Sequence, residues 1–435
     1  MDPILLASLG LAGMFAIILL GVPIGVAMAL AGIVGFTYLS NFGAALSLLA
    51  TEPATQLASA DLAVIPLFLL MGSFAAASGL SGDIYRIAFA LLGHRRGGLA
   101  IATVSGCAAF GSICGSSVAT AATMGRIALP EMLRRGYAPS LATGSVAAGG
   151  TLGILIPPSN IMVIYAYLTE QVVITLFVAA LLPSVIAVAL DFIAINLYVR
   201  ANPGTAPPGP RMPWPERLRV IRDGWGVGLL MLLIIGGIYG GIFTVQEAAA
   251  FGAGFAFLFT VFRGKLSIAV LRQVMVDTAS STAMIYVILA GASIFSYFIA
   301  ATKMPVQLVG MIQGLDLAPI VIVFAIIVVY LILGMIFDEV AALLITLPFV
   351  FPLIVHLGYH PVWWGIVNVM VIEVGLIAPP IGLNVFVIQG MARDIPINVI
   401  YRGIMPILWA DLVRIALIVV FPGIVMWLPQ YFGMK

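Results

Sequence analysis

GILIPPSN (153–160) and GLIAPPIGLN (375–384) are the two stretches that decide how this chain is read. Each lies inside an apolar run, 140–168 and 361–391, long enough to cross a bilayer, which takes about 20 residues. Each carries a Pro-Pro pair near its middle. A proline has no N–H to give the helix, and its ring clashes with the preceding turn. The pair therefore unwinds the helix and leaves carbonyls without donors. In lipid that is costly, so irregular backbone at this depth is expected only inside protein or beside a water-filled cavity, where something uses the carbonyls.

The two stretches are copies of one another. Gly153 matches Gly375 and Pro157-Pro158 matches Pro379-Pro380, an offset of 222 residues. The same offset pairs GYAP (136–139) with GYHP (358–361), Pro130 with Pro352, and Val118-Ala119 with Val340-Ala341, with no gap. Upstream of each Pro-Pro run lies a longer apolar stretch, 97–133 or 318–356, interrupted by GSICGSS (111–117) or GMIFDE (334–339). These read as re-entrant helical hairpins that turn at mid-depth.

Further apolar runs fall at 4–20, 22–41, 61–80, 173–199, 225–242, 246–262, 278–300 and 404–428, giving about ten crossings with the two broken ones. The stretch 201–224 is rich in Pro and carries Arg211, Arg217, Arg219 and Arg222. It reads as a cytoplasmic linker between two halves. The expected organisation is a first repeat over 1–200, with scaffold helices in 1–60, then the linker, then a second repeat over 225–435.

Each half then holds five crossings and one hairpin, and an odd number inverts the second half relative to the first. Charge agrees with this. GHRRGG (93–98) and LRRGYA (133–138) flank the first hairpin, whereas GLDLAP (314–319) and HLGYHP (356–361) around the second have no Lys or Arg. By the positive-inside rule the first hairpin opens to the cytoplasm and the second to the outside. The N-terminus falls outside, and Lys303 is the main basic residue on the wrong side.

Composition excludes a soluble protein. The chain has 435 residues, 63% hydrophobic and only 8% charged, where a soluble domain carries roughly 25% charged residues. Its mean hydropathy is +1.20. The net charge of +2 points to no nucleic-acid partner, because the basic residues form no soluble face. Cys107 and Cys114 give neither a disulfide framework nor a metal spacing, and His94, His356 and His360 are scattered. The opening MDPILLASLGLAGM lacks a basic n-region and a cleavage site, so it is expected to be the first membrane helix.

Two hairpin tips and two broken helices are expected to meet near the midplane, bringing dipole ends and free carbonyls around a cavity. The first tip supplies Ser112, Gly115, Ser116, Ser117 and Thr120, and the first break supplies Gly153, Ser159 and Asn160. The second tip supplies Gly334 and Asp338, and the second break Gly375, Gly382 and Asn384. Their carbonyls, hydroxyls and amides are hard oxygen ligands suited to sodium. Asp338 matches Ser116 in the repeat. A carboxylate at this depth is usually functional, yet Asp also caps helices, and the two roles are compatible. Ser116 and Ser117 either bind or pack.

Thr120, Arg126 and the prolines Pro157, Pro158, Pro379 and Pro380 are candidates for contact with substrate. Arg126 either meets a substrate carboxylate or snorkels. Asp191, Asp411 and Arg414 read as an intramembrane ion pair, Glu247 as a helix-start residue, and Glu373 stays open between roles.

The motifs GSICGSSVATAATMG (111–125), AGGTLGILIPPSN (148–160), GGIFTVQEAAA (240–250), GMIFDEVAALLITLP (334–348) and GLIAPPIGLNVFV (375–387) together resemble the large membrane subunit of tripartite ATP-independent periplasmic (TRAP) transporters, over nearly the whole chain. That resemblance implies an all-α elevator-type ion-transporter fold in the bacterial inner membrane. It implies sodium-driven uptake of organic anions such as carboxylates, with sodium as coupling ion and no other cofactor. The implied partners are a small membrane subunit and a periplasmic substrate-binding protein. One departure is visible: the family's TPTEA turn reads Thr244-Val245-Gln246-Glu247-Ala248 here.

Other classes are less well served. A stand-alone carboxylate transporter of the same fold would need no binding protein. A membrane enzyme needs a nucleophile–base pair or clustered metal ligands, and an ATP-driven pump needs a Gly-rich phosphate loop; the sequence offers none of these. Two opposed hairpins suit alternating access better than an open channel.

Overall fold

The computed structural model describes residues 3–434 and contains helices and no strand among them. Helices α1 (Pro3–Leu19), α2 (Ile24–Leu39) and α3 (Phe42–Ala58) open the chain. Helix α4 (Val64–Ser78) bends by 68° into α5 (Leu80–Leu92) at Gly79, whose φ of 85° suits glycine. The first hairpin is α6 (Gly98–Cys114) and α7 (Ser117–Arg134). The first broken helix is α8 (Pro139–Leu155) and α9 (Asn160–Thr169), and α10 (Val173–Ala201) closes the half. A short helix, α11 (Trp214–Asp223), lies inside the linker and meets α12 (Trp225–Met231), which a π turn joins to α13 (Gly237–Tyr239).

The second half follows the same order. It holds α14 (Val245–Phe262), α15 (Ile268–Ala301) and α16 (Met304–Gln313), then the second hairpin, α17 (Pro319–Ile336) and α18 (Glu339–His356). The second broken helix is α19 (Pro361–Gly375) and α20 (Leu383–Met391), followed by α21 (Ile397–Val420) and α22 (Gly423–Tyr431). The bounds of α7 and α18 differ by the same 222 positions at both ends, and α8 and α19 each begin on a proline at that spacing. Proline there sits where its missing N–H costs nothing.

Among the described residues, seven helices are long and apolar enough to cross a membrane, or up to nine if each bent pair is one span. Four shorter apolar helices, α1, α2, α6 and α19, lie below that length. Two helices joined by a tight turn occupy 98–134 and again 319–356, and the helices over 139–169 and 361–391 are interrupted at their Pro-Pro pairs. Four differences have clear causes. Helix α3 carries Glu52, Pro53 and Gln56, which lower its apolar signal. Helices α5 and α16 are short arms beside bends. The start of α15 lies in the polar stretch before 278, so the helix runs 34 residues rather than 23. The expected span 404–428 divides into α21 and α22 at Phe421-Pro422.

Two groups of helices pack. In one, α2 lies against α15 and α14 against α4. Close approach there uses glycine: a Cβ on Gly291 would stand 1.9 Å from the Gly25 carbonyl oxygen. In the other, α8 packs on α6, α7 and α21. Every residue from Leu141 to Leu155 of α8 is buried, as is all of α19 after its first residue. A helix apolar on all sides must be enclosed by others, so α8 and α19 form the centre.

Candidate functional site

The first tip reverses in two residues. Gly115 takes φ 63° and its N–H reaches the Gly111 carbonyl at 2.7 Å. Ser116 is extended and its hydroxyl accepts from the Ala119 N–H at 3.5 Å, capping α7. This tip sits on the first break. The Asn160 N–H donates to the Gly115 carbonyl at 3.4 Å. A Cβ on Gly153 would meet Thr120 Oγ1 at 2.6 Å and the Ser116 carbonyl at 2.8 Å, so only glycine admits the tip.

Each break re-uses a carbonyl its prolines release. Pro158 has no N–H for Ile154, and the Ser159 hydroxyl donates to that oxygen at 2.5 Å. In the second break Pro380 leaves Leu376 free, and the Asn384 N–H takes its carbonyl at 3.0 Å. Both Pro-Pro bonds are cis. The first pair is buried, whereas Pro379 and Pro380 are exposed.

The second tip turns through Phe337 and Asp338 without a left-handed residue. Asp338 Oδ1 accepts from the Val340 and Ala341 N–H groups, each at 3.0 Å. Gly382, with φ 61°, donates its N–H to Met335 at 3.3 Å and so ties this tip to the second break. Gly334 and Gly375 touch, since a Cβ on Gly375 would lie 2.7 Å from Gly334 backbone.

The two halves meet at Asn384. Its amide nitrogen donates to Ser117 Oγ at 2.7 Å and to the Ala147 carbonyl at 3.2 Å. Its Oδ1 is buried without a partner among the described residues, as is Asn160 Oδ1. A buried oxygen with no donor costs free energy, and a hard cation would satisfy it. Glu339 Oε2 is a third such oxygen, on a residue that sequence reading passed over. Its signal was there: it follows Asp338 in an apolar run and matches Ser117 in the repeat.

Other expected residues lie elsewhere. Ser112 Oγ donates to the Ala109 carbonyl at 2.8 Å and contacts Met231 of α12, so its hydroxyl turns away from the tip. Thr120 is buried, 3.4 Å from Cys114 Sγ. Arg126 is exposed on α7 and forms no ion pair among the described residues. Glu247 starts α14 in a reciprocal capping box with Thr244, and Gln246 donates to Asp61 Oδ1 at 2.9 Å. The altered turn thus begins a helix and clasps it to the α3–α4 loop.

Arg414 pairs with both Asp411 Oδ1 and Glu373 Oε2 at 2.9 Å, all three being buried. The expected pair forms and Glu373 joins it. Asp191 is buried too, with its Oδ1 unpartnered. Glu373 Oε1 also accepts from Thr151 Oγ1 at 3.0 Å, and these two residues are repeat equivalents 222 positions apart.

Helices joined by tight turns and packed on interrupted helices, with up to nine spans apolar enough to cross a bilayer among the described residues, define a polytopic membrane protein. In fold the chain is similar to the Alcanivorax borkumensis YdaH transporter, with TM-score 0.61 over 87% of this chain and 89% of that one, at 17% identity. Residues 11–424 match the family model of the tripartite ATP-independent periplasmic transporter, DctM component. The C4-dicarboxylate TRAP transporter large permease protein DctM of Pseudomonas aeruginosa is 36% identical over 86% of this chain and 87% of its own length. That of Vibrio cholerae is 34% identical over 94% of each. The chain belongs to the DctM family. It is a multi-pass transporter permease, not an enzyme.

Proposed function

We propose that this permease drives sodium-coupled uptake of an organic acid, a carboxylate, across the bacterial inner membrane by an elevator movement. The observation that carries the reading is the pair of unpartnered buried oxygens, Asn160 Oδ1 and Asn384 Oδ1, at broken helices that hold the hairpin tips. Sodium ions would occupy these places, with carbonyls of Gly115, Gly153, Gly334, Gly375 and Gly382 and the side chains of Ser116, Ser117, Ser159 and Asp338 as the surrounding oxygen set. The two repeats are inverted. The contact between the equivalent residues Thr151 and Glu373 is what a two-fold axis passing between them would give.

In this account the moving body is the group centred on α8 and α19, with both hairpins. The group holding α2, α4, α14 and α15 is the scaffold. Thr120, Arg126 and the four break prolines are the substrate-facing candidates. A small membrane subunit would sit on the scaffold, and a periplasmic binding protein would deliver the acid. The N-terminus faces the periplasm and the linker the cytoplasm. The test is uptake of labelled organic acids into proteoliposomes holding the permease and its small subunit. An inward sodium gradient is compared with potassium, with and without binding protein. Uptake that needs both sodium and binding protein supports the reading. Uptake without binding protein assigns the chain to stand-alone transporters, and sodium-independent uptake removes the coupling ion.

A further inference from the structure

A cavity of about 590 Å³ opens between α3, α15 and α16 on one side and α18 with the end of α9 on the other. That lies within the range of about 300–1,000 Å³ typical of small-ligand sites. It is separate from the tips: the α18 residues that line it start at Leu344, more than a turn beyond Asp338. One wall is Leu344, Leu347, Pro348 and Phe351, an apolar slot. The opposite wall is α15, with Ser293, Ser296 and Ala300. Ser293 is held by Gln56, whose Nε2 donates to its hydroxyl at 2.8 Å, and Gln56 Oε1 is buried without a partner.

Two opposite charges border this slot. Lys303 and Glu52 both line it, and neither forms an ion pair among the described residues. Lys303 is the basic residue that the charge pattern leaves on the outer side. It adopts φ 57°, a left-handed conformation that costs a non-glycine residue about 1–2 kcal/mol. The corresponding bend between α4 and α5 uses Gly79 instead.

We infer that this cavity is a phospholipid site that takes one acyl chain of phosphatidylethanolamine, with the phosphate on Lys303 and the ammonium on Glu52. An apolar slot bordered by one cation and one anion complements a zwitterionic amphiphile. Phosphatidylglycerol offers the carboxylate only neutral hydroxyls and no cation. Phosphatidylcholine has no N–H to donate to it. The walls belong to the two helix groups that the proposed function sets in relative motion, so a chain wedged there would hold them in the present arrangement. That consequence rests on the proposed function; the binding itself does not.

The test is native mass spectrometry of the delipidated permease with its small subunit. It is titrated separately with phosphatidylethanolamine, phosphatidylglycerol and phosphatidylcholine of identical chains. The inference expects one phosphatidylethanolamine retained at least fivefold over the other two. Ala300→Trp, which fills the slot, and Lys303→Gln should each abolish that retention, and Glu52→Gln should erase the preference over phosphatidylglycerol. If Ala300→Trp does not fold, as judged by thermal unfolding, Ser296→Met serves as the slot-filling variant. Equal retention in slot-filled and wild-type protein overturns the inference. Uptake without lipid binding, or lipid binding without uptake, separates this inference from the transport reading.

Discussion

Asp338 uses one carboxylate oxygen to cap α18 through two N–H groups, which fixes that side chain at the second tip whether or not an ion is present. Replacing it with Ala removes the cap, worth about 0.5–2 kcal/mol, as well as any ligand role. Asn160 separates these effects, because its Oδ1 caps nothing. Asn160→Ala is expected to keep the folded protein's unfolding temperature while lowering sodium-driven uptake at least tenfold, measured in proteoliposomes at saturating substrate. Arg414 belongs to stability. Its removal leaves Glu373 and Asp411 buried beside each other, and breaking a buried pair costs about 3–5 kcal/mol. Arg414→Met should therefore sharply lower the thermal unfolding temperature of the purified protein, and a variant as stable as wild type would refute that assignment.

At the scale of elements, the join between tip and break depends on a missing side chain. A methyl group on Gly153 would drive into Thr120 and the Ser116 carbonyl. Overpacking of this kind costs about 1–3 kcal/mol, so Gly153→Ala is expected to weaken sodium affinity about tenfold without changing the helix bounds, measured by sodium titration of tryptophan fluorescence. Both hairpins and both breaks were legible in sequence because Pro-Pro pairs and an interrupted apolar run leave local marks. Arm helices α5 and α16, and the whole of α3, were not. They are short, lie beside a bend or carry polar residues such as Glu52 and Gln56, so no membrane-length apolar period announces them. The orientation of the Ser112 hydroxyl toward Met231 is likewise invisible in sequence, since it depends on a helix 119 residues away.

For the whole molecule, each tip contacts the break of its own half, and Asn384 against Ser117 is one place where the halves join. Which oxygens stay unpartnered could not be read beforehand, because that depends on what each neighbour donates. Relative movement of the two helix groups has its own check at Gly72 of α4. A Cβ there would stand 2.7 Å from the Cys114 Cβ of the first hairpin. Gly72→Cys, after a small adjustment to the usual disulfide spacing of about 3.5–4.5 Å, is expected to cross-link to Cys114 on oxidation and stop uptake. Reduction should restore it, and the same variant with Cys114→Ser should transport under both conditions. Transport through the oxidised cross-link would mean that the hairpin does not move against α4.

The most direct measurement of the central claim is equilibrium binding of radioactive sodium to the purified permease, compared with Asn160→Ala and Asn384→Ala. The account predicts saturable binding in the wild type that competing potassium does not displace, with affinity reduced at least tenfold in each variant. Wild-type affinity in both variants, or no saturable sodium binding at all, would contradict it.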